Sequence, residues 1–214
     1  MYKRQAYIGY YGDKPEKVWI DKDLEQVYAS IEASFPNDQV RIGGWTENED
    51  KAIITAWSDT NPGEMYYYDR NKGKIAFIAK SRPWIDKNEM SPMLPISFKA
   101  RDGLTVNGYL TVPKNSDGKN LPLIINPHGG PASRDVWGYN PEHQFFASRG
   151  YAVLSMNFRG STGYGRSHVK MANGQWGRKM QDDVNDSVNW AVDQGIADKD
   201  NVCIYGASYG GYAV

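Results

Sequence analysis

Asn201-Val-Cys-Ile-Tyr-Gly-Ala-Ser-Tyr-Gly-Gly-Tyr-Ala-Val214 is the stretch on which the reading of the fold turns. Val202 to Tyr205 is a short apolar run of β-favouring residues. It meets Gly206-Ala-Ser208-Tyr-Gly210, a G-x-S-x-G, and then small residues suited to starting a helix. A serine between a strand and a helix in this pattern is a nucleophile elbow, held on a strained turn with its hydroxyl exposed. The flanking glycines follow from that geometry. A sharp bend at Ser208 brings neighbouring backbone close, and side chains at 206 and 210 would clash.

An acyl-transfer serine needs donors aimed at the developing oxyanion. The backbone N–H of Tyr209, directly after Ser208, is one candidate. The second is expected from the loop after an earlier strand, where Pro127-His128-Gly129-Gly130-Pro131 follows the apolar run Leu121-Pro-Leu-Ile-Ile-Asn126. Gly129 and Gly130 let main-chain amides approach a substrate, and His128 is expected to shape the loop rather than act as a base. In hydrolases of this kind the triad order is Ser, then Asp or Glu, then His. All three histidines (His128, His143, His168) precede Ser208. The chain is therefore expected to be a fragment that carries the nucleophile without its acid or base.

Around these motifs the pattern is one of alternation. Residues 96–101 and 104–112 read as strands joined at Asp102-Gly103, a hairpin signal. A helix is capped by Asn140, has Pro141 at its first position and turns Phe145 and Phe146 inward. Residues 151–156 form the next strand. A second helix is expected over about 176–194, with Trp176, Met180, Val184, Val188 and Ala191 on one face. Strands alternating with helices predict an α/β fold with a mostly parallel, doubly covered sheet.

The first half differs. Residues 21–35 predict a helix with Leu24, Val27, Tyr28, Ile31 and Phe35 on one face, capped by Asp21 or Asp23 and ended by Pro36. Short strands are expected at 7–11 and 17–20, and four more at 39–45, 51–57, 64–69 and 74–80, separated by polar turns. Four antiparallel strands in this span fit one β-propeller blade or a free-standing meander equally well. The proline-bearing stretch 81–95 reads as a connector holding the domain boundary. Met1-Tyr-Lys-Arg-Gln5 matches the read-through of a common transposon-based sequencing adapter and is expected to be a scar.

Composition excludes several functions. Lys+Arg 25 against Asp+Glu 25 leaves no basic excess for nucleic acid or for an acidic membrane surface. No run approaches the ~20 apolar residues of a membrane span. The single cysteine, Cys203, rules out a disulfide framework and reads as a buried core thiol. No metal or cofactor is called for: the glycines of 157–165 are not in G-x-G-x-x-G order. Arg159 could anchor a loop or contact substrate, and a structural ion pair is the role expected of it. Asp182 and Asp183 project about 100° apart on their helix, one solvated and one bonded to a neighbouring loop.

Five segments stand in order at family spacing: Ile96-Ser-Phe-Lys-Ala-Arg-Asp-Gly103, Gly108-Tyr-Leu-Thr-Val-Pro113, Asn126-Pro-His-Gly-Gly-Pro131, Asn157-Phe-Arg-Gly-Ser-Thr-Gly-Tyr-Gly165 and Tyr205-Gly-Ala-Ser-Tyr-Gly-Gly211. Together they resemble the prolyl oligopeptidase family of serine peptidases, above all its bacterial acylaminoacyl-peptidase-like and dipeptidyl-peptidase-like branch. The stretch 59–69 resembles the final propeller blade of that branch. The resemblance implies the last blade or blades of a β-propeller over 6–88 and the first half of an α/β-hydrolase domain over 89–214. It also implies Ser208 as nucleophile, with Tyr209 and the Gly129-Gly130 region as oxyanion hole. Peptides would be the substrate, with neither nucleic acid nor membrane as partner, and an oligomer is compatible with the full-length protein. A carboxylesterase or lipase, or a catalytically dead binding module, are the alternatives.

Overall fold

The computed structural model describes residues 5–214, so the expected scar lies outside the described residues apart from Gln5. Two compact units follow one another, the first ending at Met90 and the second running Ser91–Val214.

In the first unit, strands β1 (Tyr7–Tyr11) and β2 (Pro15–Trp19) pair antiparallel. Helix α1 (Lys22–Glu32) follows. Its cap is Asp21, whose carboxylate accepts from the N–H groups of Asp23 and Leu24. That satisfies two donors a helix start leaves orphaned. Strands β3 (Gln39–Trp45), β4 (Lys51–Trp57), β5 (Glu64–Asp69) and β6 (Lys74–Lys80) then form an antiparallel sheet in chain order. Alternation supplies the buried face: in β4, Ala52, Ile54 and Ala56 point inward. Ile31, Val40, Ala52, Ile54 and Tyr68 form the core, flanked by Val27 and Phe35.

The second unit is built on a five-stranded sheet. Strands β7 (Met93–Lys99) and β8 (Thr105–Thr111) form a hairpin. Its turn is closed by the Gly103 N–H donating to Ala100 O at 2.8 Å, with Gly103 at φ 87. After β9 (Leu121–Ile125) come α2 (Pro141–Ala147), β10 (Ala152–Asn157), the short α3 (Arg166–Lys170), α4 (Lys179–Asp193), β11 (Ala197–Ile204) and α5 (Tyr209–Tyr212). The strand order is β11-β9-β10-β8-β7. β9 runs parallel to β10 and β11, whereas β8 is antiparallel to both β10 and β7. The sheet is therefore mixed rather than mostly parallel, because a tight hairpin can only reverse the chain. Every residue of β10 is buried, and Leu123, Ile125, Leu154, Met156 and Phe158 form the core with Met180 and Val184 of α4.

Three sequence expectations need correction. Phe145 is 51% exposed, and His143, Gln144 and Ala147 face inward instead. Gln144 is drawn in by a backbone partner: its side chain bonds both the N–H and the carbonyl of Ser91. Phe145 packs under the Arg149 guanidinium at 3.6 Å. The second helix starts at Lys179, not at 176, because Gly174 and Gly177 take positive φ and break the α conformation. Trp176 is consequently off the α4 face and stands against Tyr209 at 4.9 Å. Cys203 is exposed among the described residues, where β11 has β9 as its strand neighbour.

Candidate active site

The two loops of interest leave the sheet side by side, because β9 and β11 are parallel neighbours and both run out at the same end. The Tyr205 N–H extends the ladder by donating to Ile125 O at 2.9 Å. The Asn126 amide donates to Tyr205 O at 2.9 Å, tying the start of one loop to the start of the other.

At the turn, Ser208 adopts φ 57 and ψ −122, a conformation that costs a non-glycine residue roughly 1–3 kcal/mol. It is exposed, while Tyr209 and Gly210 behind it are buried. The glycines on either side permit this bend. A Cβ on Gly206 would sit 2.6 Å from the carbonyl carbon of Gly210, and one on Gly210 would collide with Pro127 O. Tyr209 opens α5, so its N–H has no acceptor within the helix. Its ring is wedged between Phe158 at 5.4 Å and Trp176.

Gly129 lies directly against the serine. A Cβ there would stand 3.3 Å from both Ser208 Cβ and Ala207 O, and 3.8 Å from Ser208 Oγ. Gly130 follows at φ 125 and leads into a cis bond to Pro131. Ser208, Tyr209 and Gly129, chosen from sequence about 80 residues apart, are thus brought together, with Gly130 adjoining.

The histidines are engaged elsewhere. The His128 ring stacks on Phe158 at 4.4 Å, with Nδ1 2.7 Å from Gly129 O and Nε2 2.9 Å from Ser161 Oγ. Burial pushes its pKa down, opposed by the bond to the Gly129 carbonyl. His143 is buried in α2, with Nε2 3.2 Å from Asn126 Oδ1 and Nδ1 3.5 Å from Thr111 Oγ1. Burial lowers its pKa to about 4. His168 turns Nε2 toward Phe158 O at 3.3 Å.

Sequence reasoning passed over His143, Asn126, Asn157 and Asp135. The one available signal was helical spacing: His143 falls four residues before Ala147, on the face that packs inward. Asn157 clamps residue 135 from both sides, accepting from the Asp135 N–H at 2.8 Å and donating to its carbonyl at 3.0 Å. One oxygen of the part-buried Asp135 carboxyl, Oδ2, is enclosed without a hydrogen-bond partner, and desolvation raises the pKa to about 7.

Arg159 is structural, as its sequence context indicated. Its guanidinium reaches Asp183 at 2.6 Å and Asp102 at 2.8 Å, with the Asp183 side chain fully buried. Asp182 remains part-exposed and pairs with Arg101 at 3.0 Å. Among the described residues no group of three or more His, Cys, Asp or Glu could hold a metal ion. No helix is long and apolar enough to cross a membrane.

Residues 137–214 match the family model described as the prolyl oligopeptidase family. Dipeptidyl aminopeptidase BIII of Pseudoxanthomonas mexicana is 43% identical over 202 residues, covering 91% of this chain. The chain belongs to the prolyl oligopeptidase family. It spans 28% of the length of that relative. Two solved structures are similar to it. A Mycobacterium tuberculosis puromycin-hydrolyzing peptidase gives a TM-score of 0.66 at 26% identity, covering 77% of this chain and 26% of that one. The Pyrococcus horikoshii acylaminoacyl peptidase gives 0.63 at 27% identity, covering 80% and 28%. The chain thus spans roughly a quarter of the length of each of these relatives.

Proposed function

We propose that this chain is a segment of a longer serine peptidase, in which Ser208 attacks the scissile carbonyl of a peptide and carries the acyl group. The observation that supports it most is the exposed Ser208 at φ 57 with Gly129 packed against it. In this reading the Ser208 hydroxyl proton passes to a base supplied outside these residues, as the hydroxyl oxygen bonds to the carbonyl carbon. The carbonyl oxygen, now negative, is received by the N–H of Tyr209 and by an amide of the Gly129-Gly130 region. Collapse of that intermediate expels the amine, which takes the proton back from the base, and water then releases the acyl group as a carboxylic acid and restores the Ser208 hydroxyl. Oriented amides of this type are worth about 10²–10³ in rate each.

Residues 6–88 are proposed as the end of a β-propeller and 89–214 as the first part of an α/β-hydrolase domain, consistent with the antiparallel four-stranded sheet and the mixed sheet described above. The 214-residue chain alone is expected to turn over nothing, since all three of its imidazoles are committed to other partners.

The test is labelling of the full-length protein with a fluorophosphonate, alongside hydrolysis of peptide and ester coumarin or nitrophenyl substrates. Labelling at Ser208, with peptide turnover lost in Ser208→Ala, is the expected result. A Ser208→Ala protein that keeps its peptide turnover would refute the reading, and preferential ester cleavage would place the protein among esterases.

A further inference from the structure

The glycine-rich stretch 157–165 has no part in the chemistry proposed above, yet it grips the loop that carries the oxyanion amides at four points. Ser161 Oγ lies 2.9 Å from His128 Nε2. The Thr162 N–H donates to Ser133 O at 2.8 Å. Asn157 clamps the backbone of residue 135 from both sides. The Arg134 guanidinium lies over the Tyr164 ring at 4.3 Å. Three of these contacts fall beyond the glycines. The first bears on Gly129 itself.

Proton placement there is fixed by chemistry. The Gly129 carbonyl can only accept, so His128 Nδ1 carries the hydrogen and Nε2 is left as an acceptor. Among the described residues the donor beside Nε2 is the fully buried Ser161 hydroxyl at 2.9 Å; its single hydrogen can serve Nε2 because Phe158 O, 2.7 Å from the same oxygen, also accepts from the Ser161 N–H at 3.0 Å. Stacking on Phe158 fixes the plane of the ring. The orientation of the Gly129–Gly130 peptide is thereby set through the imidazole by a hydroxyl on a different loop.

We infer that Ser161, acting through His128, is a positioning residue for the Gly129-Gly130 peptide beside Ser208. The inference rests on the reading of Ser208 as nucleophile. Misplacement of a catalytic group by about 1 Å can cost on the order of 10²-fold in rate, so a hydroxyl that restrains such a group one residue away should matter to turnover rather than to substrate affinity.

The experiment uses the full-length protein, with active sites counted by fluorophosphonate titration and rates expressed per titrated serine. Ser161→Ala is expected to lower kcat about tenfold and His128→Ala about 10- to 100-fold, with KM within about twofold of the parent. Because the two residues act in series, the double variant should be no slower than His128→Ala by more than about twofold. Unchanged kcat per titrated site, with only the titrated fraction reduced, would make the contact a folding element and overturn the inference. So would multiplicative effects in the double variant, or a Ser161→Ala protein that cannot be titrated at all. A parent protein that is never phosphonylated at Ser208 would refute the nucleophile reading instead, which separates the two failures.

Discussion

Two desolvated groups in the second unit should make its stability respond to pH in opposite directions, and single substitutions should expose each response. His143 is held neutral by burial, its pKa lowered from 6.5 to about 4. Between those values the unfolded chain binds a proton that the folded chain refuses, so stability rises with pH across that window. At 1.36 kcal/mol per pH unit, full passage through it is worth about 3 kcal/mol. Asp135 is the mirror case. Desolvation raises its carboxyl from 3.8 to about 7, so the folded chain holds a proton the unfolded chain has lost. Stability therefore falls as pH rises from about 4 to 7, by about 4 kcal/mol in all. Between about pH 4 and 6.5 the two slopes nearly cancel in the parent chain. Asp135→Asn should leave the His143 slope, with stability climbing toward neutrality, and His143→Gln should leave the descending slope of Asp135. Hydrogen exchange of the amides of β10 reads the second unit by itself, and a pH series in the parent and both variants gives the slopes. Two variants whose slopes share a sign, or a parent whose stability is steeper than both, would refute the assignment of these groups as desolvated and neutral.

Other consequences can be checked singly. Ser208→Gly should raise stability by about 1 kcal/mol by relieving the positive φ, while Ser208→Ala, which keeps a Cβ, should not; thermal melts of the two variants decide this. Gly210→Ala should drive a methyl group into Pro127 O and separate the two loops, so the full-length protein should lose fluorophosphonate labelling even where it remains folded. Arg159→Met strands Asp183 as a buried, unpaired carboxylate and should cost about 3–5 kcal/mol in urea unfolding. Lys199→Met, at the exposed pair with Asp200, should barely move the same curve.

How far the sequence could be read depended on whether the deciding interactions were local. The four strands β3 to β6 and the first strand, β1, sit where alternation and turn residues put them, because hairpin pairing is fixed by neighbours a few residues apart. Asp21 and Asn140 cap their helices through bonds spanning two or three positions. The bend at Ser208 was legible for the same reason, since its glycines answer to a clash within a single turn. Phe145 was misread because the distant Ser91 backbone claims Gln144, whereas Trp176 was misread because Gly174 and Gly177 beside it take positive φ and delay the helix.

What residue order settled alone was the chemistry on offer, a serine on a strained turn and a separate pair of glycines free of side chains. What required the folded chain was their meeting. Parallel pairing of β9 with β11 carries Gly129 so near Ser208 that a Cβ on it would stand 3.3 Å from the serine Cβ, and the contacts of Asn126, His143, His128 and Ser161 tie both loops there. Those partners lie 17 to 79 residues apart along the chain. Local propensity has no range over such separations; only the closing of the sheet and the burial of its polar groups can choose them.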